Sequence, residues 1–343
     1  MIYFGIALFS FLVTMLIVPL NCKLSNKLGI IDFPRERSIH KIATPKSGGC
    51  SLIVGLIITH LFLLVLGLQE FNRLFVGLIC GGFLIFVLGF LDDIFDLQAW
   101  QKIIIEIIII LFMTIFGFKM ELITNPFGPS INVGILSIPL TIIWFLLIIN
   151  SINLIDGLDG LATGLVAIVI LILGLAGLIC SNTFVAYFAF GLFGSCLAFL
   201  KYNFYPAKIF LGDAGSLYLG FNIAALSVAG NIQFKGTTAM TMLIPIIVLS
   251  LPLIDTFLSI IRRLKTPNSL FQADKNHLHH KMLELGLPYK TVVFTGYFLT
   301  VLFGIISMGF LLVDKRILFS LLIIIGIIIF IIFYNIIRKE FFK

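Results

Sequence analysis

The chain has 343 residues, of which 60% are hydrophobic, 11% are charged and 36 are phenylalanine. This composition supplies too little polar surface for a soluble globule of that size, so it predicts a polytopic membrane protein. The net charge of +7 first indicates orientation in the bilayer and gives no reason to expect a nucleic-acid partner. Five scattered cysteines without a Cys-x-x-Cys pair indicate neither a disulfide framework nor a structural zinc site.

Apolar stretches recur along the whole chain, each near the length that a bilayer core requires. They predict an all-α protein with one integral membrane domain at residues 1–343 and a polar loop at residues 22–46. The eleven predicted transmembrane helices are at residues 1–20, 49–68, 74–91, 103–118, 135–150, 165–180, 184–200, 215–230, 239–261, 291–313 and 317–337.

Basic residues are distributed unevenly between the two sides of this layout. With the N-terminus outside, 18 Lys and Arg residues fall on the inner side and five on the outer side. Because cytoplasmic loops are enriched in Lys and Arg, the asymmetry predicts a cytoplasmic C-terminus. An even number of helices would break this pattern.

Four polar clusters follow predicted helices, and all four fall on the predicted cytoplasmic face. Asp92 and Asp93 follow the third helix, residues 150–164 the fifth, residues 211–216 the seventh, and residues 277–280 the ninth. The predicted outer loops hold no acidic pair and no histidine. A transporter would instead place its charges near the midplane, at broken helices related by a repeat.

Residues 150–164 carry four strongly polar side chains between two apolar helices. Asn150, Asn153, Asp156 and Asp159 recur at a spacing of three, so a helix here would place them along one face. At the edge of hydrocarbon such a cluster is costly unless it binds a ligand, and a cation with phosphates would satisfy it. Taken alone, the simpler interpretation is an interhelical turn in which Asn and Asp act as caps.

The acidic clusters suggest a cation. Asp92 and Asp93 are adjacent carboxylates at a predicted helix end, where they repel each other and oppose the helix dipole unless a cation is close. Asp213 lies among small residues and offers one hard oxygen ligand. This suits Mg²⁺, which takes one or two protein carboxylates and completes its shell with water and phosphate oxygens.

Histidines make up the fourth cluster. His277, His279 and His280 lie beside Lys275 and Lys281 at the predicted start of a short helix. Such a place suits a diphosphate. A zinc site is not expected, because no partner with ligand spacing follows.

The joint pattern is far more specific than any single cluster. It comprises Gly-Phe-Leu-Asp-Asp (89–93), Asn-Ser-Ile-Asn-Leu-Ile-Asp-Gly-Leu-Asp-Gly (150–160), Gly-Asp-Ala-Gly-Ser (212–216) and His-Leu-His-His (277–280). In this order the motifs resemble the polyprenyl-phosphate N-acetylhexosamine 1-phosphate transferase family over nearly the whole chain. The His-x-His-His form resembles the branch that uses UDP-N-acetylglucosamine to start enterobacterial common antigen, O-antigen or teichoic acid. The sister branch, which transfers phospho-N-acetylmuramoyl-pentapeptide, usually has three consecutive histidines.

The resemblance implies a bacterial plasma-membrane enzyme that transfers a sugar 1-phosphate from UDP-N-acetylglucosamine to undecaprenyl phosphate and releases UMP. It assigns Mg²⁺, or Mn²⁺ in its place, to Asp213 with help from Asn153, and the lipid phosphate and its proton to Asp92 or Asp93. The first loop also resembles the family, although Ser38 stands where Lys is common. A homodimer is left open. The implied substrate-binding residues are Asn150, Asp156, Asp159, His277, His279, His280, Arg37, His40 and Lys41.

Several alternatives remain at this level. The pentapeptide branch, or a donor with another UDP-amino sugar, would need no change in the mechanism. Asp92-Asp93-Ile-Phe-Asp96 also fits the Asp-Asp-x-x-Asp pattern of intramembrane prenyltransferases, which would leave the histidines without a role. A transporter could use Glu106 and Asp255 as intramembrane charges. Release of UMP from a UDP-sugar would separate these classes.

Overall fold

The computed structural model describes residues 1–34, 43–123, 131–232, 243–250, 252–254, 256 and 278–312. As predicted, this part of the chain is mainly helical. The helices are α1 (Ile2–Leu28), α2 (Gly48–Val65), α3 (Arg73–Phe95), α4 (Ala99–Ile115), α5 (Ser137–Ile155), α6 (Leu161–Ile179), α7 (Thr183–Asn203), α8 (Gly212–Ile232), α9 (Leu243–Val248), α10 (Leu278–Glu284) and α11 (Tyr289–Leu312), with a 3-10 turn at Gly134–Leu136.

Two short antiparallel strand pairs add a little sheet to a fold that was predicted to be all-α. Strand β1 (Ile31–Asp32) pairs with β2 (Thr44–Pro45), and β3 (Leu122–Ile123) pairs with β4 (Ile131–Asn132). Each strand has only two residues, so the pairs fasten loops and do not form a layer of their own.

Seven of the described segments are long and apolar enough to cross a membrane, judged by length and composition. They are Ile2–Leu28, Gly48–Val65, Arg73–Phe95, Gly134–Ile155, Leu161–Ile179, Thr183–Asn203 and Tyr289–Gly309. The total of eleven spans and the orientation of the termini stay predictions. The span at 317–337 lies outside the described residues, and the span at 239–261 lies partly outside them.

Helix α1 is longer than predicted, and the polar loop expected at residues 22–46 is correspondingly shorter. The helix continues to Leu28 because the polar residues of its last turns form hydrogen bonds with residues near the start of α2. The Asn21 side-chain nitrogen donates to the Ser47 carbonyl and to the Ser51 hydroxyl, both at 2.8 Å. Ser25 contacts the Ser47 hydroxyl on the same face. These bonds fasten the start of α2 against α1.

The segment 150–164 is only partly helical, so its four polar residues do not share one helical face. Helix α5 ends at Ile155 and α6 begins at Leu161. Asn150 and Asn153 therefore project from a helix, whereas Asp156 and Asp159 lie in the turn. Gly160 directly precedes α6 with a φ of 78°, a conformation that other residues adopt at a cost.

The buried apolar residues of the described helices form one contiguous core, and α8 lies at its centre. Helix α8 packs against α2, α3, α5 and α6. Its first turn is held very closely: a β-carbon on Gly89 would lie 2.5 Å from the Asp213 carbonyl oxygen, and one on Gly49 would lie 2.5 Å from the Gly215 nitrogen. Small residues on α2 and α3 thus bring the Asp213 turn deep between these two helices.

Candidate active site

The N-terminus of α8 is capped by a side chain from another helix. Asp93, on the last turn of α3, accepts hydrogen bonds from the backbone nitrogens of Asp213 at 2.8 Å and Ala214 at 3.0 Å. An anion at a helix N-terminus satisfies unpaired N–H groups and is favoured by the helix dipole. The Asp93 side chain, which is 1% exposed, therefore fixes the position of the Asp213 backbone.

Lys46 completes this cap from the first loop. Its ammonium lies 2.9 Å from Asp93 Oδ1. Burial alone would lower the pKa of Lys46, but the carboxylates of Asp93 and Asp213 outweigh burial and raise that pKa above its ordinary value. Lys46 is therefore a fixed positive charge at neutral pH.

Backbone pairing places Lys46 beside the start of α8. The Phe210 nitrogen donates to the Pro45 carbonyl at 2.8 Å, and the nitrogens of Gly48 and Gly49 donate to the carbonyls of Phe210 at 3.0 Å and Leu211 at 3.1 Å. The segment before α2 thus runs alongside the segment before α8. Residues far apart in sequence meet here through their main chains.

Asp92 points to a different partner from its neighbour. Its Oδ2 accepts a hydrogen bond from the Lys102 ammonium at 2.6 Å, and its Oδ1 accepts one from the Leu97 nitrogen at 2.9 Å. The carboxyl groups of Asp92 and Asp213 also interact directly. Two carboxylates side by side are unfavourable unless a cation or a shared proton lies between them.

The two asparagines of α5 are divided between neighbouring helices. The side-chain nitrogen of Asn153 donates to Asp213 Oδ1 at 2.8 Å and to the Ser216 hydroxyl at 2.9 Å. The structure therefore brings together the two residues that the resemblance assigns to the metal. The side-chain nitrogen of Asn150 donates instead to Glu106 Oε2 of α4 at 2.8 Å.

These contacts join α3, α4, α5 and α8 in a closed circuit. Asp92 pairs with Lys102, Glu106 pairs with Asn150, Asn153 pairs with Asp213, and Asp213 meets Asp92 again. We call the six residues Asp92, Lys102, Glu106, Asn150, Asn153 and Asp213 the carboxylate ring. With Asp93 and Lys46 beside it, the set holds four carboxyl groups against two ammonium groups. The excess of acid favours a bound cation.

The Asp156–Asp159 turn lies next to this ring. Burial raises the pKa of Asp156 well above its ordinary value, and the carboxylates of Asp213 and Asp93 raise it further. Asp159 Oδ2 accepts a hydrogen bond from the Ala207 nitrogen at 3.0 Å, and the Asp159 nitrogen donates to the Tyr289 hydroxyl. Asp156 is thus tied electrostatically to the ring, whereas Asp159 also braces the turn.

The histidine segment begins the short helix that precedes α11. The backbone of His279 and His280 belongs to α10, as the sequence predicts, although the placement of their side chains is outside the described part. Helix α11 follows directly, and its first residue, Tyr289, contacts the Asp159 turn. His277 and the first-loop residues Arg37, His40 and Lys41 lie outside the described residues, as does Asp255 of the transporter alternative.

Sequence reasoning missed two cations. Lys46 and Lys102 were counted only as charges that report orientation, yet each pairs with one carboxylate of the Asp92-Asp93 dipeptide. Lys102 could have been identified from the sequence, because it is a single cation at the start of the apolar helix that follows the acidic pair. Asp96, the third aspartate of the prenyltransferase pattern, is an exposed residue at the end of α3.

The ring suits Mg²⁺ better than it suits a metal ion whose ligands all come from protein side chains. Within the described ranges no three His, Cys, Asp or Glu side chains converge to hold a metal. Mg²⁺ needs fewer protein ligands, because substrate phosphates and water fill the rest of its shell. Asp213, with Asn153 hydrogen-bonded to it and the Asp92 carboxyl beside it, offers the required hard oxygen atoms.

Comparison with known proteins shows the family of this chain. Residues 75–231, which include most of the ring's helices, match the profile of Glycosyl transferase family 4. The chain is 35% identical over 297 residues to a probable undecaprenyl-phosphate N-acetylglucosaminyl 1-phosphate transferase of Bacillus subtilis, covering 86% of this chain and 81% of that protein. It is 32% identical over 315 residues to a decaprenyl-phosphate N-acetylglucosaminephosphotransferase of Mycobacterium leprae, covering 83% and 77%.

A relative from the other branch matches nearly as well. The phospho-N-acetylmuramoyl-pentapeptide-transferase of Clostridioides difficile is 32% identical over 321 residues, covering 88% of this chain and 95% of that protein. The similarity therefore extends across both kinds of sugar-phosphate transferase, and it covers most of each chain. The protein is a multi-pass membrane transferase that belongs to Glycosyl transferase family 4.

Proposed function

We propose that this protein transfers N-acetylglucosamine 1-phosphate from UDP-N-acetylglucosamine to undecaprenyl phosphate. The observation that carries the proposal is the Asp213–Asn153 contact within the carboxylate ring, which also holds the Asp92–Lys102 pair and has the Asp93–Lys46 pair beside it. Such a site can bind a divalent cation together with phosphates. The named activities of the Bacillus and Mycobacterium relatives support this choice of donor and of a polyprenyl phosphate acceptor.

In this reaction an oxygen of the lipid phosphate attacks the phosphorus that carries the sugar. A new phosphoanhydride bond forms, the old one breaks, and UMP leaves with the bridging oxygen. One phosphoanhydride replaces another, so the reaction should be nearly thermoneutral and reversible. Catalysis then depends on positioning and charge neutralisation and needs little covalent participation by the protein.

The contacts of the described residues suggest which substrate group each of them binds. Mg²⁺, for which Mn²⁺ could substitute, would be held by Asp213 and Asn153 and would neutralise charge on the diphosphate. Asp92, with Lys102, is assigned to the lipid phosphate, because Asp93 already caps α8 with both of its oxygens. The resemblance to the family assigns the remaining donor-binding roles to Asp156, Asp159, His277, His279, His280, Arg37, His40 and Lys41.

We also propose that the site faces the cytoplasm of a bacterium, with the protein in the plasma membrane. The proposal rests on the 18 to five distribution of Lys and Arg between the predicted sides. UDP-sugars are made in the cytoplasm, so the orientation agrees with the proposed donor. The product would be the first lipid-linked intermediate of a cell-envelope polysaccharide such as teichoic acid, O-antigen or common antigen.

The test is to offer the purified protein several UDP-sugars with undecaprenyl phosphate and Mg²⁺ and to measure UMP. We expect release with UDP-N-acetylglucosamine that needs both the lipid and the metal. EDTA should stop it and Mg²⁺ should restore it. A protein that takes up UDP-sugar without releasing UMP would instead be a transporter, and one that releases diphosphate from a prenyl donor would be a prenyltransferase.

A second candidate donor is the UDP-linked muramoyl-pentapeptide, because the Clostridioides relative matches over 95% of its length. The His277-Leu278-His279-His280 order favours UDP-N-acetylglucosamine, since the pentapeptide branch usually carries three consecutive histidines. Selectivity must come from hydrogen bonds whose loss leaves buried polar groups unpaired. Efficient UMP release with the pentapeptide nucleotide alone would reverse the choice of donor and leave the family unchanged.

A further inference from the structure

Glu106 is a buried carboxyl group for which the proposed reaction has no evident use. It lies on α4 with no exposed surface. Its Oε2 accepts a hydrogen bond from Asn150 at 2.8 Å, and among the described residues its Oε1 has no hydrogen-bond partner. Burying a carboxyl group with an unpaired oxygen costs free energy, so its presence here points to a functional role.

The hydrogen bonds of the Asn150 amide indicate a role for Glu106. The side-chain nitrogen of Asn150 donates both to Glu106 Oε2 at 2.8 Å and to the Leu146 carbonyl at 2.9 Å. A primary amide has two N–H donors and one oxygen acceptor. Both donors are therefore used within the protein. The group that Asn150 can offer to a ligand is its oxygen.

The position of this pair ties it to the site. Asn150 lies one helical turn before Asn153, which contacts Asp213, and Glu106 lies one turn after Lys102, which contacts Asp92. Residues three or four apart on a helix are neighbours on its surface. The Glu106–Asn150 pair thus occupies the part of the carboxylate ring between the proposed lipid-phosphate and metal residues.

We propose that Glu106 is a positioning residue that fixes the orientation of the Asn150 amide, so that Asn150 accepts a hydrogen bond from a hydroxyl or amide N–H of the donor sugar. The inference rests on the proposed function. Glu106 and the Leu146 carbonyl both accept from the amide nitrogen, and together they prevent the flip that would present N–H groups to the site. The diphosphate of a UDP-sugar is esterified at both ends and fully ionised at neutral pH, so it has no proton to give to this oxygen, and the nearby carboxyl group repels it. Asn150 is therefore a contact for the sugar and not for the diphosphate.

The first test compares Glu106→Gln with wild type. A glutamine can donate as well as accept, so it no longer favours one orientation of the Asn150 amide, and only the Leu146 carbonyl is left to hold that amide. We expect the KM for the UDP-sugar to rise roughly ten-fold, the scale of one lost hydrogen bond, while the KM for undecaprenyl phosphate stays unchanged. Glu121→Gln is the matched control, since Glu121 is exposed and pairs with Lys119. An unchanged KM for the UDP-sugar in Glu106→Gln would overturn the proposal.

A double-mutant cycle tests whether Glu106 acts through Asn150. In an Asn150→Ala background, Glu106→Gln should cause no further rise in the KM for the UDP-sugar. Additive losses would mean that Glu106 acts independently and would contradict the proposal.

The same cycle, measured by thermal unfolding, tests the contact without any reaction. Coupling between the two substitutions is expected there as well, and its absence would refute the contact. Wild type that releases no UMP from any UDP-sugar would disprove the proposed function, whereas intact wild-type activity with uncoupled variants would disprove only this inference.

Discussion

Two polar clusters of this protein, one fully buried and one partly buried, look alike by hydrogen bonding and differ in charge. Between α1 and α7, the Ser195 hydroxyl lies 2.7 Å from that of Ser10 and accepts from Thr14 at 3.0 Å, and all three residues are fully buried. In the carboxylate ring the side chains are also paired, but acid exceeds base. The neutral cluster is satisfied by its own hydrogen bonds, whereas the excess of acid in the ring favours a bound cation.

His60 extends the same comparison to a titratable residue type. Its Nδ1 lies 2.6 Å from the Gln69 side-chain oxygen, and its ring stacks on Phe188 with centroids 3.7 Å apart. A histidine inside a span can therefore serve packing alone. Charge imbalance at a helix junction, and not polarity as such, distinguishes the candidate site from the structural clusters.

The largest effect is expected at the centre of the ring. Asp213→Asn keeps the size of the side chain but removes the charge, and a neutral amide is a poor Mg²⁺ ligand. Mg²⁺-dependent UMP release should fall by on the order of a thousand-fold. Asp96→Asn, at an exposed position on the neighbouring helix end, is the matched control and should be near normal. Near-normal turnover in a folded Asp213→Asn protein would rule out the metal assignment.

A second prediction separates placement from proton removal at Asp92. Both oxygens of Asp92 already accept hydrogen bonds, from Lys102 and Leu97. We therefore expect Asp92→Asn to lose about a hundred-fold in rate by misplacing Lys102. A phosphate monoester has a second pKa of about 6, so a base becomes less necessary as pH rises above it. The loss should be the same from mildly acidic to alkaline pH. A loss that shrinks at high pH would show that Asp92 acts as the base.

A third prediction concerns the cap of α8 and has both a stability and an activity readout. Asp93→Asn cannot accept from both backbone nitrogens and leaves Lys46 without its anion. We expect a loss of about 1–3 kcal/mol in stability, the cost of leaving a buried polar group unsatisfied, and roughly ten-fold in rate because the Asp213 backbone shifts. Lys46→Met should cause a similar but smaller loss. If the two residues form one unit, the double variant will lose less than the sum, and strict additivity would count against the cap.

The fold could be predicted from sequence wherever a helix is defined by its apolar run. It could not be predicted where polar residues make tertiary contacts. Asn21 and Ser25 look like loop residues, yet they extend α1 because their partners, Ser47 and Ser51, lie on the next helix. A polar residue in the sequence indicates an exposed position only when no residue from elsewhere in the chain packs against it as a hydrogen-bond partner.

The site shows the same limit. Motifs identified Asp92, Asn153 and Asp213 as candidates, because their residue types and order are distinctive. Motifs could not assign separate roles to Asp92 and Asp93. These residues are adjacent in sequence, but Asp92 faces Lys102 and Asp93 faces the start of α8. The lysine partners depend on helix packing, so spacing along the chain does not reveal them.

The smallest effect is expected in the neutral cluster. Ser195→Ala removes the hydroxyl that joins Ser10 and Thr14, so it deletes two side-chain contacts between α1 and α7. The two hydroxyls left behind can still bond to a carbonyl one turn earlier on their own helix, so we expect a loss of only about 1 kcal/mol or less. Thermal unfolding should show this small decrease, while UMP release per folded molecule stays at the wild-type value. A large loss of activity without a loss of stability would mean that this neutral cluster communicates with the ring, and that charge imbalance is not what separates functional from structural polar groups.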